Sequence, residues 1–62
     1  MDVQTALHRL ASATAGLTGL VELMQLDAEP GSELARNLAL AAESADEARS
    51  LIRVLVALEE AR

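Results

Sequence analysis

The residue of this chain best suited to chemistry is its single histidine, His8. Arg9 follows His8 directly, and Ser12 lies four positions after His8, within a stretch of helix-forming residues. Neutral imidazole offers a free lone pair near pH 7, because the ordinary histidine pKa is about 6.5. The apolar pattern of this stretch leaves His8 off its apolar side, so we expect the ring to be exposed to water. An exposed histidine on a helix can act as a nucleophile.

The rest of the composition excludes several classes of site. The chain has no cysteine, and no pair of carboxylates flanks His8 at helical spacing, so we expect no metal site. No glycine-rich phosphate loop occurs, and we expect the chain itself to bind no cofactor. Five basic residues against ten acidic ones give a net charge of −5, which argues against nucleic-acid binding. No apolar run is long enough to span a membrane, so we expect a cytoplasmic domain without direct membrane contact, whose parent protein could be membrane-anchored.

One Pro-Gly pair divides the chain into two helices. We expect the first helix over about 2–27, a turn over about 28–31 and the second helix over about 32–61. Asp2 and Ser32 are suitable N-caps, and Ala and Leu favour helix throughout. So short a connection requires antiparallel helices. The predicted fold is an all-α, two-helix hairpin forming a single domain.

Each predicted helix carries an apolar series with alternating spacings of four and three. The first series is Val3, Leu7, Leu10, Thr14, Leu17, Val21 and Met24, and the second is Leu34, Leu38, Ala41, Ala45, Ala48, Ile52 and Leu55. Further apolar residues widen both series beyond what one helix-helix contact can cover. A chain of 62 residues also buries little surface alone. We therefore expect a homodimer that closes as a four-helix bundle.

Two glycines inside the first helix, Gly16 and Gly19, each cost up to about 1 kcal/mol relative to alanine. Close backbone packing or a slight bend is one explanation. The other is functional: with His8, Ser12 and Ala15 these glycines fall on one outward stripe with few side chains. A second protein could approach the backbone closely there.

At this point the sequence resembles the dimerisation and histidine-phosphotransfer domain of two-component sensor histidine kinases. The usual sequence pattern of that family is His, an acidic residue, Leu, a basic residue, Thr or Asn, and Pro. A Gly and the sequence Glu-Leu-Leu follow later in the same helix. The positions in register are His8, Leu10, Ser12, Gly19, Glu22 and Leu23. The stretch 48–58 is similar to the family's closing helix, so the resemblance covers nearly the whole chain.

The resemblance implies a homodimeric four-helix bundle within a phosphotransferase. His8 would accept the γ-phosphoryl group of ATP, held with Mg²⁺ on a separate kinase domain, and pass it to an aspartate of a response-regulator receiver domain. Ser12 would stand beside this site, and Ala15, Gly16 and Gly19 would dock the partner. Because the chain lacks an ATP-binding domain, it would not be a kinase alone.

The chain also departs from the family pattern. Arg9 replaces the acidic residue that follows the histidine; it cannot accept a proton, but its guanidinium matches phosphate oxygens. Ala13 replaces the proline, which predicts a straighter helix. A hairpin folded about residues 29–30 places His8 opposite residues 51–53, so Arg53 is a candidate phosphate contact; simple solvation is its other interpretation.

Two other interpretations stay open. In the first, the chain is a non-catalytic helical dimerisation module, and His8 is an ordinary solvated residue. In the second, it is a small stand-alone histidine phosphotransfer protein, although such proteins use four helices in one chain and a Lys-Gly pair where Ala11 and Ser12 stand here. The sequence does not decide between a fragment and a complete protein, nor does it identify the signal.

Overall fold

The computed structural model describes all 62 residues, and two α-helices account for nearly all of them. Helix α1 spans Val3–Asp27 and helix α2 spans Glu33–Glu60. The two helices pack antiparallel against each other in a rod measuring 46 × 16 × 13 Å. Neither helix is both long and apolar enough to cross a membrane. The predicted all-α hairpin is confirmed.

Side-chain caps begin both helices. The Asp2 carboxylate accepts a hydrogen bond from the Thr5 backbone N–H at 2.7 Å, and Ser32 Oγ accepts one from Ala35 N–H at 3.0 Å. Each bond satisfies an N–H group that has no partner within its own helix. The backbone and side chain of Thr5 together lower the pKa of the Asp2 carboxyl, because they bond to its ionised form.

The turn between the helices depends on one backbone conformation. Gly31 has φ of 78°, in the left-handed region where a side chain would be strained. The Ser32 N–H donates to the Glu29 carbonyl at 3.1 Å, and the Arg36 guanidinium donates to the Gly31 carbonyl at 2.7 Å. These bonds hold the reversal that brings α2 back along α1.

The contact between the helices is narrow and built from small and medium side chains. Its buried residues are Thr14, Val21, Leu38, Ala45 and Ile52, and its half-buried ones include Leu7, Thr18, Ala42 and Val56. Thr14 is the one buried polar residue, and its hydroxyl donates to the Leu10 carbonyl at 2.8 Å. Every buried polar side-chain atom is thus hydrogen-bonded, but few side chains leave water.

The apolar series expected from the sequence is divided between the hairpin contact and the exposed surface. Leu10, Leu17 and Met24 of α1, and Leu34 and Leu55 of α2, are about half exposed rather than in the contact. Small residues complete the contact instead. Thr18, Ala35 and Ala42 are half-buried beside the buried residues, and their short side chains let the two helix axes approach each other. One hairpin contact covers only a narrow strip of each helix.

Most of the leucines left outside this contact lie on one side of the helix pair, whereas Leu23, Leu26 and Leu40 point elsewhere. In each helix several of them follow a contact residue by three positions, as Leu17 follows Thr14 and Leu55 follows Ile52. In an antiparallel pair of right-handed helices, equal offsets from the contact fall on the same side of the pair. We call this surface the apolar face. Its residues are Leu10, Leu17, Leu20, Met24, Leu34, Leu51, Leu55 and Leu58.

The cap at the start of α2 can be tested by Ser32→Ala. Losing the bond to Ala35 N–H should lower the free energy of unfolding by about 1 kcal/mol. Ser50→Ala is the matched control, because Ser50 is exposed inside α2 and alanine is the better helix former there. Urea denaturation followed by circular dichroism would measure both. Equal stability of the two variants would contradict a capping role for Ser32.

Candidate functional site

His8 is exposed on α1 and follows the contact residue Leu7 by one position. This offset places it on the side of the hairpin opposite the apolar face. We call that side the His8 face. An open cavity of about 180 Å³ lies there between the ends of the two helices. It is lined by Gln4, Leu7, His8, Ala11, Val56, Glu59 and Glu60.

The alignment of the two helices differs from the one expected for a fold-back at residues 29–30. His8 shares its cavity with Val56, Glu59 and Glu60 rather than with residues 51–53. The half-buried Ala28 and Ser32 continue the packing beyond the end of α1, so the chain reverses later than the Pro-Gly position suggested. The level of α2 opposite His8 is therefore about one turn closer to its C-terminus.

A second cavity, of about 240 Å³, adjoins the first on the same face. Ala11 lines both, and the second also contains Ala15 and the guanidinium-bearing residues Arg49 and Arg53 on α2, together with Ile52. Neither arginine forms an ion pair, since the one salt bridge of the chain joins Arg62 to Glu59. The predicted candidate Arg53 is thus on the His8 face, one turn from the histidine's level, and its guanidinium forms no ion pair.

Other predicted site residues lie apart from these cavities. Arg9 and Ser12 are exposed and line neither of them, because both stand on the outward side of α1. Gly16 is exposed on the same outward side, whereas Gly19 is half-buried and Ala15 lines the second cavity, so the predicted stripe is only partly outward. A Cβ atom added to either glycine would meet no other atom within 4 Å. Nothing in the hairpin itself therefore requires a glycine at these two positions.

The sequence does not point to Glu59 and Glu60, because the fold-back expected at residues 29–30 places His8 opposite a level of α2 about one turn too early. A fold-back placed at Ser32 would have brought them to His8. Three acidic or metal-ligating side chains do not converge anywhere in the chain, so there is no candidate metal site. His8 with Arg49 and Arg53 is therefore the group of side chains best suited to bind and react with a phosphate group.

The fold and its surfaces define a class of structure only: an all-α hairpin of two packed helices with one exposed apolar face. In comparison with known proteins, no family model, no curated protein and no solved structure matches this chain significantly.

The glycine positions give a test of the outward stripe. Gly16→Ala and Gly19→Ala should each raise the free energy of unfolding by up to about 1 kcal/mol, because alanine favours helix and its methyl group meets open space. Gly31→Ala is the contrasting variant and should lower it by about 1 kcal/mol, since its φ is left-handed. Urea denaturation measures all three. Destabilisation by Gly16→Ala would show that another element packs there.

Proposed function

We propose that the chain is the phosphoacceptor and dimerisation module of a two-component histidine kinase. The observation that carries this proposal is the position of His8: exposed, beside an open cavity, and on the face opposite the apolar one. A dimer formed through the apolar face would leave His8 accessible. The family resemblance of the sequence supports the same role.

In the proposed phosphoryl transfer, the hairpin supplies only the His8 ring as nucleophile. A lone pair of the neutral His8 ring attacks the γ-phosphorus of ATP, the bond to the β-phosphate oxygen breaks, and ADP leaves with that electron pair. ATP and Mg²⁺ belong to the separate kinase domain. The phosphoryl group then passes from His8 to an aspartate of a receiver domain. Positioning and charge stabilisation provide most of the catalysis in such transfers.

Three charged or small features of the surface suit this exchange. Arg53, with Arg49, offers unpaired guanidinium groups to phosphate oxygens one turn from His8. Arg9 provides a third unpaired guanidinium next to His8 in sequence. The small residues Ser12 and Gly16 on the outward side of α1, with Ala15 and Gly19 next to them, leave this surface with few side chains, so a partner's backbone can approach it. We assign this stripe to docking of the kinase and receiver domains.

The dimer follows from how little the single chain buries. Five of the 62 residues are buried, and no large side chain is fully enclosed. The apolar face meanwhile exposes half or more of leucines such as Leu17, Leu20 and Leu51. Contiguous exposed apolar surface of this kind marks an interface. A second copy, packed face to face about a twofold axis, covers it completely and forms a four-helix bundle.

A second candidate function is supported by the same apolar face. A non-catalytic helical dimerisation module needs this surface and nothing else, and it requires no reaction at His8. The proximity of Arg49 and Arg53 to His8 on one face favours the phosphoacceptor, because guanidinium groups there can bind phosphate oxygens, whereas simple solvation of both arginines fits the structural module. A stand-alone phosphotransfer protein would share the His8 chemistry but would lack a covalently attached kinase domain.

Phosphorylation of His8 is tested by labelling. The chain, incubated with radiolabelled ATP and an ATP-binding domain of a histidine kinase, or with phosphorylated receiver domain, should gain acid-labile, base-stable phosphate. His8→Gln should remove this label entirely, since no other imidazole exists in the chain. Arg53→Gln should slow labelling about tenfold, through loss of one charge-assisted contact to phosphate.

The control for this experiment is Arg36→Gln, because Arg36 is engaged with the Gly31 carbonyl at the turn and lies far from His8. It should label at the wild-type rate. An intact wild-type dimer that gains no label from any of these donors would favour the structural module instead.

Dimerisation is tested separately by light scattering after size exclusion. The wild-type chain should elute as a dimer at micromolar concentration, and Leu17→Glu should elute as a monomer, because the bundle cannot bury an unpaired carboxylate at its centre. Leu26→Glu is the matched control: Leu26 is 82% exposed and lies outside the apolar face, five positions after Val21. A monomeric wild type, or dimers of both variants, would contradict this interface.

A further inference from the structure

Two of the most exposed leucines of the chain lie on the side of α1 that faces away from α2. Leu23 is 62% exposed, and Leu26, at 82%, is the most exposed large apolar residue of the protein. They follow the buried contact residue Val21 by two and five positions, which turns them about 200° and about 140° from it around the helix axis. Because they are three positions apart, the two side chains are neighbours on the helix surface. We call this pair the leucine ridge.

Neither the hairpin nor the proposed dimer covers the leucine ridge. Helix α2 packs on the opposite side of α1, and a second copy on the apolar face would leave both leucines exposed to water. The ridge lies closer to the turn than Gly19, so it is also outside the stripe that we assign to the kinase and receiver domains. Adjacent exposed leucines framed by polar groups mark an interaction surface. The leucine ridge is therefore available to a further partner.

The surroundings of the leucine ridge are uniformly acidic. Glu22 and Asp27 follow Val21 by one and six positions, so they lie on the two sides of the ridge. Glu29 lies beyond its end, in the turn. All three side chains are exposed and form no ion pair, and positions 10–35 contain no basic residue. The negative end of the α1 dipole adds to these charges, because the last turn of the helix has no basic residue either. An apolar centre with an acidic rim favours a partner whose apolar residues are flanked by cations.

We propose that the leucine ridge and its acidic rim bind a basic amphipathic helix of another protein. The apolar side of that helix packs on Leu23 and Leu26, in the way that the ridges of one helix fill the grooves of another. Its lysines and arginines pair with the three carboxylates of the rim and face the negative end of the α1 dipole. An anionic membrane surface fits less well, because the same carboxylates repel it. The proposal does not depend on phosphoryl transfer, since His8 is about 22 Å from Leu23 along α1.

The probe for this surface is a synthetic helical peptide with leucines spaced three and four positions apart and lysines on both flanks. A control peptide has glutamates in place of the lysines. In NMR spectra of the full chain, the lysine peptide should shift the methyl signals of Leu23 and Leu26, and its affinity should fall as the salt concentration rises. Leu26→Ala should weaken binding about tenfold, because one leucine contact is lost. Leu40→Ala is the matched control and should bind like the wild type, since Leu40 is 62% exposed but lies on α2.

The charge requirement is tested by Glu22→Lys combined with Asp27→Lys. This variant should bind the lysine peptide about tenfold more weakly and gain affinity for the glutamate peptide. The matched pair Glu43→Lys and Glu47→Lys, exposed on α2, should have a much smaller effect. No binding of the lysine peptide, equal binding of the two peptides, or methyl shifts confined to the apolar face would overturn the proposal. Self-association, or binding to phosphatidylserine vesicles, that Leu26→Ala abolishes would also overturn it, by assigning the ridge to a second copy or to a lipid surface.

Discussion

The narrow contact between α1 and α2 is the constraint on which the other features depend. The small residues Thr14, Ala42 and Ala45 in this contact bring the helices close together. Because the contact buries few atoms, its hydrophobic stabilisation is small. Folding of the 62 residues costs conformational entropy, and the small hydrophobic stabilisation from this contact offsets only part of that cost. Under the proposed function, a second copy packed on the apolar face would add the stabilisation that this contact lacks.

The same helix packing places the exposed leucines and His8 on opposite sides of the hairpin. Several residues that follow the contact by three positions are leucines of the apolar face, whereas His8, Arg49 and Glu60 follow contact residues by one or four positions. Because the helices are antiparallel, each class is on one side of the pair. Under the proposed function, a face-to-face dimer would leave His8 uncovered, and a partner docked at His8 would not touch the dimer interface.

Much of this arrangement could be predicted from the sequence, because it follows from local signals. The Pro-Gly pair, the caps Asp2 and Ser32, and the 3.6-residue period indicate the hairpin and the exposure of His8. The choice of seam could not be predicted, since Thr14 and Leu17 both lie on the wide apolar side of α1. The level of α2 against α1 depended on Ala28 packing past the helix end, which no local pattern reveals.

The charges beside His8 also bear on how a phosphoryl group would reach it. An incoming phosphate is anionic, so Glu59 and Glu60 repel it from the open end of the hairpin, and the unpaired Arg49 and Arg53 attract it from the turn side. The net charge of −5 opposes approach from most other directions. Under the proposed function, the donor domain would therefore approach along the bare stripe of α1 that contains Gly16, and the glycines that weaken this helix would leave that approach free of side chains.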